Sequence, residues 1–478
     1  MCNSCVPMRR LLLLVVAASL AACQSGPEVA PPEADGPALL HGAMQRVTDV
    51  MTFDIFSPPQ ASRVYAYASV AAYEALAPTR PDLRSLAGQL NGLGAPPAPE
   101  GAVHGPTAAL YALLAVGEAM TFSTDDVVAY RADAEASLRQ AGMPRGLARR
   151  SQAYGEAVAQ HVLAWAADDG YAQTRGGQAY TVTDEPGTWR PTPPAYMDAI
   201  EPNWGVQRPF VLDSAAQFKP EPPHPYSLEP GSPFRREVDE VYVVGRDLTP
   251  EQRAIASFWD CNPYALHTRG HAMFATKKIT PGGHWMGIAA IASRQHGDDA
   301  AGAAEAYVRT ALALADGFIS VWDEKYRSRL VRPETVINEH IDEDWVPLLQ
   351  TPPFPEYSSG HSVISAAAAE ALTALYGDGV AFVDSTEIPY GLPARPFPSF
   401  RAAAEEAAIS RLYGGIHYRM AAERGTVQGR EVGGFHLERV QTRGPAVAGA
   451  EPAAGGDRQR PGRARPGRAR AVPEQVSS

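Results

Sequence analysis

The chain has 478 residues, 45% hydrophobic and 20% charged, a composition that suits a large globular core in one domain or two closely packed ones. A formal net charge of -11 excludes an overall attraction to nucleic acid. Cys2, Cys5 and Cys23 lie at the N-terminus, so Cys261 stands alone in the body and a disulfide framework is excluded there.

Arg9 and Arg10 precede an apolar run from Leu11 to Ala22 that is too short to span a bilayer and reads as a secretory signal, residues 1–22. Its end, "LAAC", resembles the lipobox of bacterial lipoproteins, in which the signal is removed and Cys23 becomes a lipidated N-terminus. A plain cleaved signal with a chance cysteine is the simpler alternative. The lipobox implies an envelope protein anchored to the membrane through Cys23. Gln24, where aspartate would mark inner-membrane retention, places the expectation at the periplasmic side of the outer membrane. Residues 23–36, with "GPEVAPPEADG", form a short polar tether.

Residues 37–170 form an N-terminal helical half. "ASRVYAYASVAAYEAL" and "GPTAALYALLAVGEAM" carry apolar residues at three- and four-residue spacing. "DVVAYRADAEASLRQAG" follows, with Ser123 and Asp125 as candidate caps, and then "LARRSQAYGEAVAQHVLAWAADDG". No alternating strand or hairpin pattern interrupts this half, and the expected fold class is all-α, a large helical bundle with long irregular loops. Residues 171–235 break the pattern with many prolines and scattered aromatics, and read as an ordered, mostly irregular crossover. Helices resume over 236–442. There Gly425, Gly429 and Gly433 are spaced for close helix packing. The tail, residues 443–478, carries arginines from Arg458 to Arg470 among Pro, Gly and Ala, and reads as disordered and solvated.

Three clusters in the last third carry chemistry. In "KYRSRLVRP", Lys325 and Arg332 are seven apart, a spacing that on a helix returns both to one face after about two turns, with Pro333 stopping or bending it. A basic surface stripe has the same pattern. In "PEYSSGHS", Gly360 permits close backbone approach, the helix behind it offers free N–H groups and a positive dipole end, Ser359 adds a hydroxyl and His361 a titrating group. A helix N-cap gives the same residues. In "SRLYGGIH", Arg411 and His417 flank a Gly414-Gly415 break. Together these residues describe a site for a tetrahedral oxyanion such as phosphate or vanadate.

These motifs read K-x6-R-P, S-G-H and S-R-x5-H in order, and resemble the signature of the vanadium-dependent haloperoxidases and the related type 2 phosphatidic acid phosphatases and bacterial acid phosphatases. The resemblance extends over roughly residues 40 to 440, through "TFDIFSPPQASRVYAYASVAAYEA" and "FWDCNPYALHTRGH". It implies a vanadate cofactor without haem or flavin, bound by Lys325, Arg332, Ser359, Gly360 and Arg411. His417 is then the metal ligand, His361 the acid-base group, and Lys325 polarises bound peroxide. Hydrogen peroxide, halide and a small organic acceptor are the implied partners. Trp322 and Phe354 resemble aromatic positions on the halide side of chloroperoxidase-type sites, and core packing accounts for them equally well.

The alternative is an acid or lipid phosphate phosphatase with a phosphohistidine at His417. Ser358 replaces the usual proline before S-G-H. Ala421 stands where many phosphatases carry an acid that orients the histidine, a departure that weighs against that alternative. A phosphate-binding lipoprotein without catalysis has no need of His361. His267, His271 and His284 lack the glutamate of an H-E-x-x-H zinc motif, and are expected to line or support the pocket, with Asp260 or Asn262 bonding a site arginine. Oligomeric state is left open by the sequence.

Overall fold

The structure, a computed structural model, describes residues 36–269 and 271–444. The expected signal and lipobox with Cys23, the expected tether up to residue 35, and the arginine-rich tail from residue 445 lie outside the described residues.

The first half is a helical bundle. Helix α1 (Gly36–Phe53), which is an addition to the segments singled out by periodicity, precedes α2 (Pro58–Leu76), α3 (Gly105–Met120), α4 (Asp125–Gln140) and α5 (Arg145–Ala167), which follow in the order the periodicity predicts. Helix α2 opens on a capping box: Gln60 N–H donates to Ser57 Oγ, and the Gln60 side chain accepts from Ser57 N–H. Helix α2 is buried almost throughout, with alanines and serines interleaved with Tyr65, Tyr67 and Tyr73, and it packs against both α3 and α10 of the second half. The expected caps of α4 are used differently. Thr124 occupies the cap position without a side-chain bond, while Ser123 donates from Oγ and N to Asp54.

Between the halves the chain is ordered and mostly irregular, with only α6 (Tyr171–Arg175) and a short 3-10 turn. Trp189 and Trp204 are buried, as the aromatic content of this stretch led one to expect. Its course is tied down by one carboxylate. Asp316 of α10 accepts hydrogen bonds from the backbone N–H of Phe210 (2.6 Å), Val211 (2.8 Å) and Leu212 (3.0 Å), and from His436 Nε2 (2.9 Å). A buried carboxylate with this many donors is satisfied, and it fixes the crossover to the core.

The second half comprises α7 (Pro233–Arg246), α8 (Pro250–Phe258), α9 (Pro281–His296), α10 (Ala300–Ser328), α11 (Pro333–His340), α12 (Gly360–Tyr376), α13 (Phe400–Tyr413) and α14 (Arg419–Arg439). Two short antiparallel ribbons, β1 (Ala265–Arg269) with β2 (Ala272–Thr276) and β3 (Phe382–Asp384) with β4 (Arg395–Phe397), interrupt the helices. They leave the fold class all-α. Among the described residues no helix is long and apolar enough to cross a membrane.

Helix α12, built from "GHSVISAAAAEALTALY", is the hub of this half and packs on α10, α13 and α14. Its contact with α14 uses the three glycines picked out by spacing. A Cβ on Gly429 would lie 2.1 Å from the carbonyl oxygen of Val363, and one on Gly433 2.8 Å from Cβ of Glu370. Backbone thus touches backbone, and the start of α12 is set by that crossing. Gly429→Ala should therefore destabilise the protein by about 2 kcal/mol or more, read as a lowered urea midpoint with an unchanged m-value, because neither helix backbone can move aside cheaply.

Candidate active site

The three sequence clusters meet at one place, though one gets there by a different route from that expected. Helix α10 ends at Ser328, and Arg329 adopts the left-handed conformation (φ 51°) that closes it. Arg332 is extended, at the N-cap of α11, with Pro333 as the first helical residue. Lys325 and Arg332 therefore do not share a helix face. A chain reversal, made possible by helix termination at Arg329 and by proline's suitability for a helix start, brings them together.

Lys325 is buried, and its ammonium donates to three carbonyls of one loop, those of Pro355 (3.1 Å), Glu356 (3.0 Å) and Ser358 (2.6 Å). Burial, then the nearby Arg332, holds its pKa well below the usual lysine value, against the pull of Glu356 and Glu324. Arg332 donates from Nε to the carbonyl of Phe354 (2.9 Å) and from Nη1 to that of Ile416 (2.7 Å), and its Nη1 lies 3.2 Å from His417 Nε2. Its Nη2 is buried with no partner among the described residues. Burial lowers its pKa to about 10, still cationic at neutral pH. Arg411 donates from Nε to Ser410 Oγ (2.9 Å) and from Nη2 to the carbonyl of Trp259 (2.6 Å). The arginine anchor expected from Asp260 or Asn262 is thus the backbone of the preceding residue, although the charge of Asp260 still opposes the effect of burial on Arg411.

His417 is the centre of the arrangement. A guanidinium can only donate, so His417 Nε2 is the acceptor toward Arg332, and the proton of the neutral ring sits on Nδ1. That Nδ1 donates to Glu356 Oε1 at 2.7 Å, and the backbone N–H of Tyr418 donates to the same oxygen at 2.9 Å. Burial, reinforced by Arg332, Lys325, Arg411 and His361, keeps the imidazole pKa well below 6.5, so Nε2 retains its lone pair. Burial pushes the Glu356 carboxyl up to about 8, with Arg332 and Lys325 pulling it down.

Glu356 lies only three residues before Ser359 but outside the three motifs, and the family pattern places an orienting acid at the position of Ala421. Ala421 instead accepts from the backbone N–H of Ser359 through its carbonyl (3.1 Å). Since Glu356 orients the histidine from another segment, the alanine no longer weighs against a phosphatase.

Ser359 caps α12: its Oγ accepts from Ser362 N–H (3.4 Å) and from Ser362 Oγ (2.9 Å), which leaves its own hydroxyl hydrogen to donate. His361 follows on the first turn. Its Nε2 is out of contact with solvent and has no hydrogen-bond partner among the described residues, and its pKa is held well below 6.5 by burial, then by Arg411 and His284. Gly360, His361, Arg411 and His417 line one end of a cavity of about 600 Å³, whose walls include Trp322 and Phe354. The rings of these two are 4.9 Å apart, and both predicted aromatics do face the cavity. Lys325, Arg332 and Ser359 sit one layer deeper.

The histidines of residues 267–284 are not brought together. His267 lies on β1, stacked on Phe274, His271 is exposed in the turn, and His284 is buried on α9.

Residues 305–444 match the family profile described as the VCPO second helical-bundle domain. A solved bacterial vanadium-dependent iodoperoxidase is 50% identical, with a TM-score of 0.81 over 88% of this chain and 99% of that one. The chain belongs to the vanadium-dependent haloperoxidases. Two further structures, holo and apo forms of bacterial vanadium-dependent chloroperoxidase, are 19% and 17% identical with TM-scores of 0.60 and 0.59, and share the haloperoxidase fold. The holo form covers 86% of this chain and 96% of its own, the apo form 82% and 94%. No curated protein gives a match.

Membership implies vanadate as cofactor, and the side chains suit it. A neutral imidazole offers Nε2, two arginines and a lysine are buried without a full complement of carboxylates, and Arg332 Nη2 and His361 Nε2 lack partners. Inside the protein nothing demands glycine at 360, since a Cβ there would make only ordinary contacts with Trp322 (3.6 Å) and Lys325 (3.9 Å).

Two outcomes follow from this geometry. Glu356→Ala should lower vanadate affinity about 10- to 100-fold in equilibrium dialysis while leaving the fold intact, because the ring loses the acceptor that fixes its tautomer. In vanadate-free protein His361 and His417 should each contribute a loss of stability on acidification below pH 6.5, against the opposite contribution of the buried Glu356 carboxyl, whose raised pKa favours the folded state there. The unfolded chain takes up protons on His361 and His417 there and the folded chain does not, at about 1.4 kcal/mol per pH unit for each histidine, and His361→Gln should remove one share of that slope.

Proposed function

We propose that this haloperoxidase oxidises iodide with hydrogen peroxide at a vanadate held on His417. The observation that carries the reading is the polarised pair: Glu356 accepts a hydrogen bond from Nδ1–H of the neutral His417, which leaves the Nε2 lone pair free to bind a metal among Arg332, Arg411 and Lys325. Iodide as the preferred halide is supported by the 50% identity to an iodoperoxidase. The balanced reaction is iodide plus hydrogen peroxide plus a proton giving hypoiodous acid and water.

Bound vanadate would supply a Lewis acid that draws electron density from peroxide and opens it to halide attack. The protein does the rest. Arg332 Nη2, Arg411, the Ser359 hydroxyl and the N–H groups at the start of α12 hold the oxyanion, whose charge the helix dipole favours. His361, neutral and beside the anion, takes a proton from incoming peroxide and returns it to the departing oxygen. Lys325 acts differently from the sequence expectation. With its hydrogens on the carbonyls of residues 355–358, it contributes charge and holds the loop in place. Trp322 and Phe354 make an apolar approach that suits a large, weakly hydrated halide, and a small organic acceptor fits the same cavity.

The lipobox supports a further reading, that the mature protein is anchored through lipidated Cys23 at the periplasmic side of the outer membrane. Labelled fatty acid should be incorporated in cells expressing the full chain, and Cys23→Ser should abolish it.

Vanadate-loaded protein should turn over iodide with peroxide, faster than bromide, and His417→Ala should lose all vanadate-dependent turnover while still folding. An aryl phosphate assayed in parallel separates the alternatives: phosphate hydrolysis inhibited by vanadate, without iodide oxidation, would assign the site to a phosphatase.

A further inference from the structure

Directly behind the cavity wall formed by Asp260, Cys261 and Asn262 lies a buried cluster that halide chemistry does not use. His284, in the first turn of α9, has its Nδ1 3.3 Å from Cys261 Sγ and 3.3 Å from Glu387 Oε1. On the other side of the ring, Nε2 lies 2.7 Å from Asp384 Oδ2 on β3. The second oxygen of Asp384 accepts from Thr386 N–H (3.0 Å) and Oγ1 (2.7 Å). All four side chains are buried. Neither oxygen of Glu387 has a hydrogen-bond partner among the described residues, since the contact with Nδ1 is misdirected for a hydrogen bond. A buried carboxylate left bare is costly, so something not yet named must meet it.

We propose that Cys261, His284 and Glu387 form a zinc site, with Asp384 as the carboxylate that orients the histidine. The donor set decides the metal: thiolate, imidazole and carboxylate together suit zinc, and the sulfur excludes magnesium and calcium. The spacing agrees. With metal bonds of about 2.0–2.3 Å, tetrahedral ligands stand roughly 3.3–3.6 Å apart. Both contacts to Nδ1 are 3.3 Å, and the three donor atoms all lie within 4.8 Å of one another.

The Asp384–His284 bond is the usual outer partner of a zinc-bound histidine, directing Nδ1 at the ion. A proton on Nδ1 in place of the ion reaches only the sulfur and leaves Glu387 bare. On binding, the thiol and Nδ1 each release a proton, so the two positive charges of zinc replace two others and the net charge of the cluster is unchanged.

Such a site would brace the oxyanion pocket. The ring of His284 stacks on Trp259 with centroids 4.6 Å apart, and the Trp259 carbonyl accepts from Arg411. Fixing Cys261 and His284 thereby fixes the turn that aims Arg411. It also binds up the sulfur of Cys261, which would otherwise present a free thiol to the cavity in which oxidant forms.

The experiment uses full-length, vanadate-loaded protein incubated with zinc chloride and then desalted. Elemental analysis should find about one zinc per chain, and X-ray absorption at the zinc edge should show one sulfur among light-atom neighbours. Cobalt chloride added in place of zinc should give a thiolate-to-cobalt absorption band. Cys261→Ala should abolish that band, and Glu387→Gln should weaken zinc affinity about 10-fold or more. Wild-type protein that retains no zinc, or zinc without a sulfur neighbour, would overturn the proposal. So would zinc retained unchanged in Cys261→Ala. These readouts do not depend on turnover, so failure of the halide assay would leave them standing, and the reverse also holds.

Discussion

A buried ammonium group organises the site. The three hydrogens of Lys325 go to the carbonyls of Pro355, Glu356 and Ser358, spanning the loop that precedes α12. A cation without a carboxylate partner is costly to bury, and these carbonyls are its main compensation. The same bonds set the direction in which Glu356 projects toward His417 and the point at which Ser359 begins the helix. Position of the lysine and shape of the anion site are one constraint.

Electrostatics then follow from composition. Lys325, Arg332 and Arg411 form no ion pair with a carboxylate among the described residues, and the buried acid in the loop, Glu356, is already engaged by His417 and by the Tyr418 backbone. The excess of positive charge is paid for by carbonyl dipoles in the protein alone, and an oxyanion relieves it more completely. Each histidine is driven neutral by burial and by that same excess, which is what leaves one ring nitrogen free to donate to a metal and another free to accept a proton.

Much of this was legible from residue order. Helices α2 to α5, the irregular crossover with its buried tryptophans, and the close glycine contacts of α14 follow from spacing and from small side chains. The oxyanion site was legible because Lys325, Arg332, Ser359, Gly360, Arg411 and His417 fall in recognisable motifs. What spacing could not give was tertiary. A seven-residue interval looks helical until Arg329 turns left-handed, and the pairing of Glu356 with His417 joins residues 61 apart in the chain. Ribbons of three to five residues carry too little alternation to separate them from loop.

The cluster behind the pocket illustrates the same limit from the other direction. Cys261, His284, Asp384 and Glu387 lie on a loop, a helix, a short strand and a turn, and no interval between them resembles a metal motif. Read by spacing alone, His284 belonged with His267 and His271, because those three share a local segment. Folding separates them and gives His284 partners about a hundred residues away. Whatever meets the bare carboxylate of Glu387 also acts on Arg411, because Trp259 touches His284 with its ring and Arg411 with its carbonyl. The wall between the two sites is therefore a mechanical link, and rigidity on one side becomes orientation on the other.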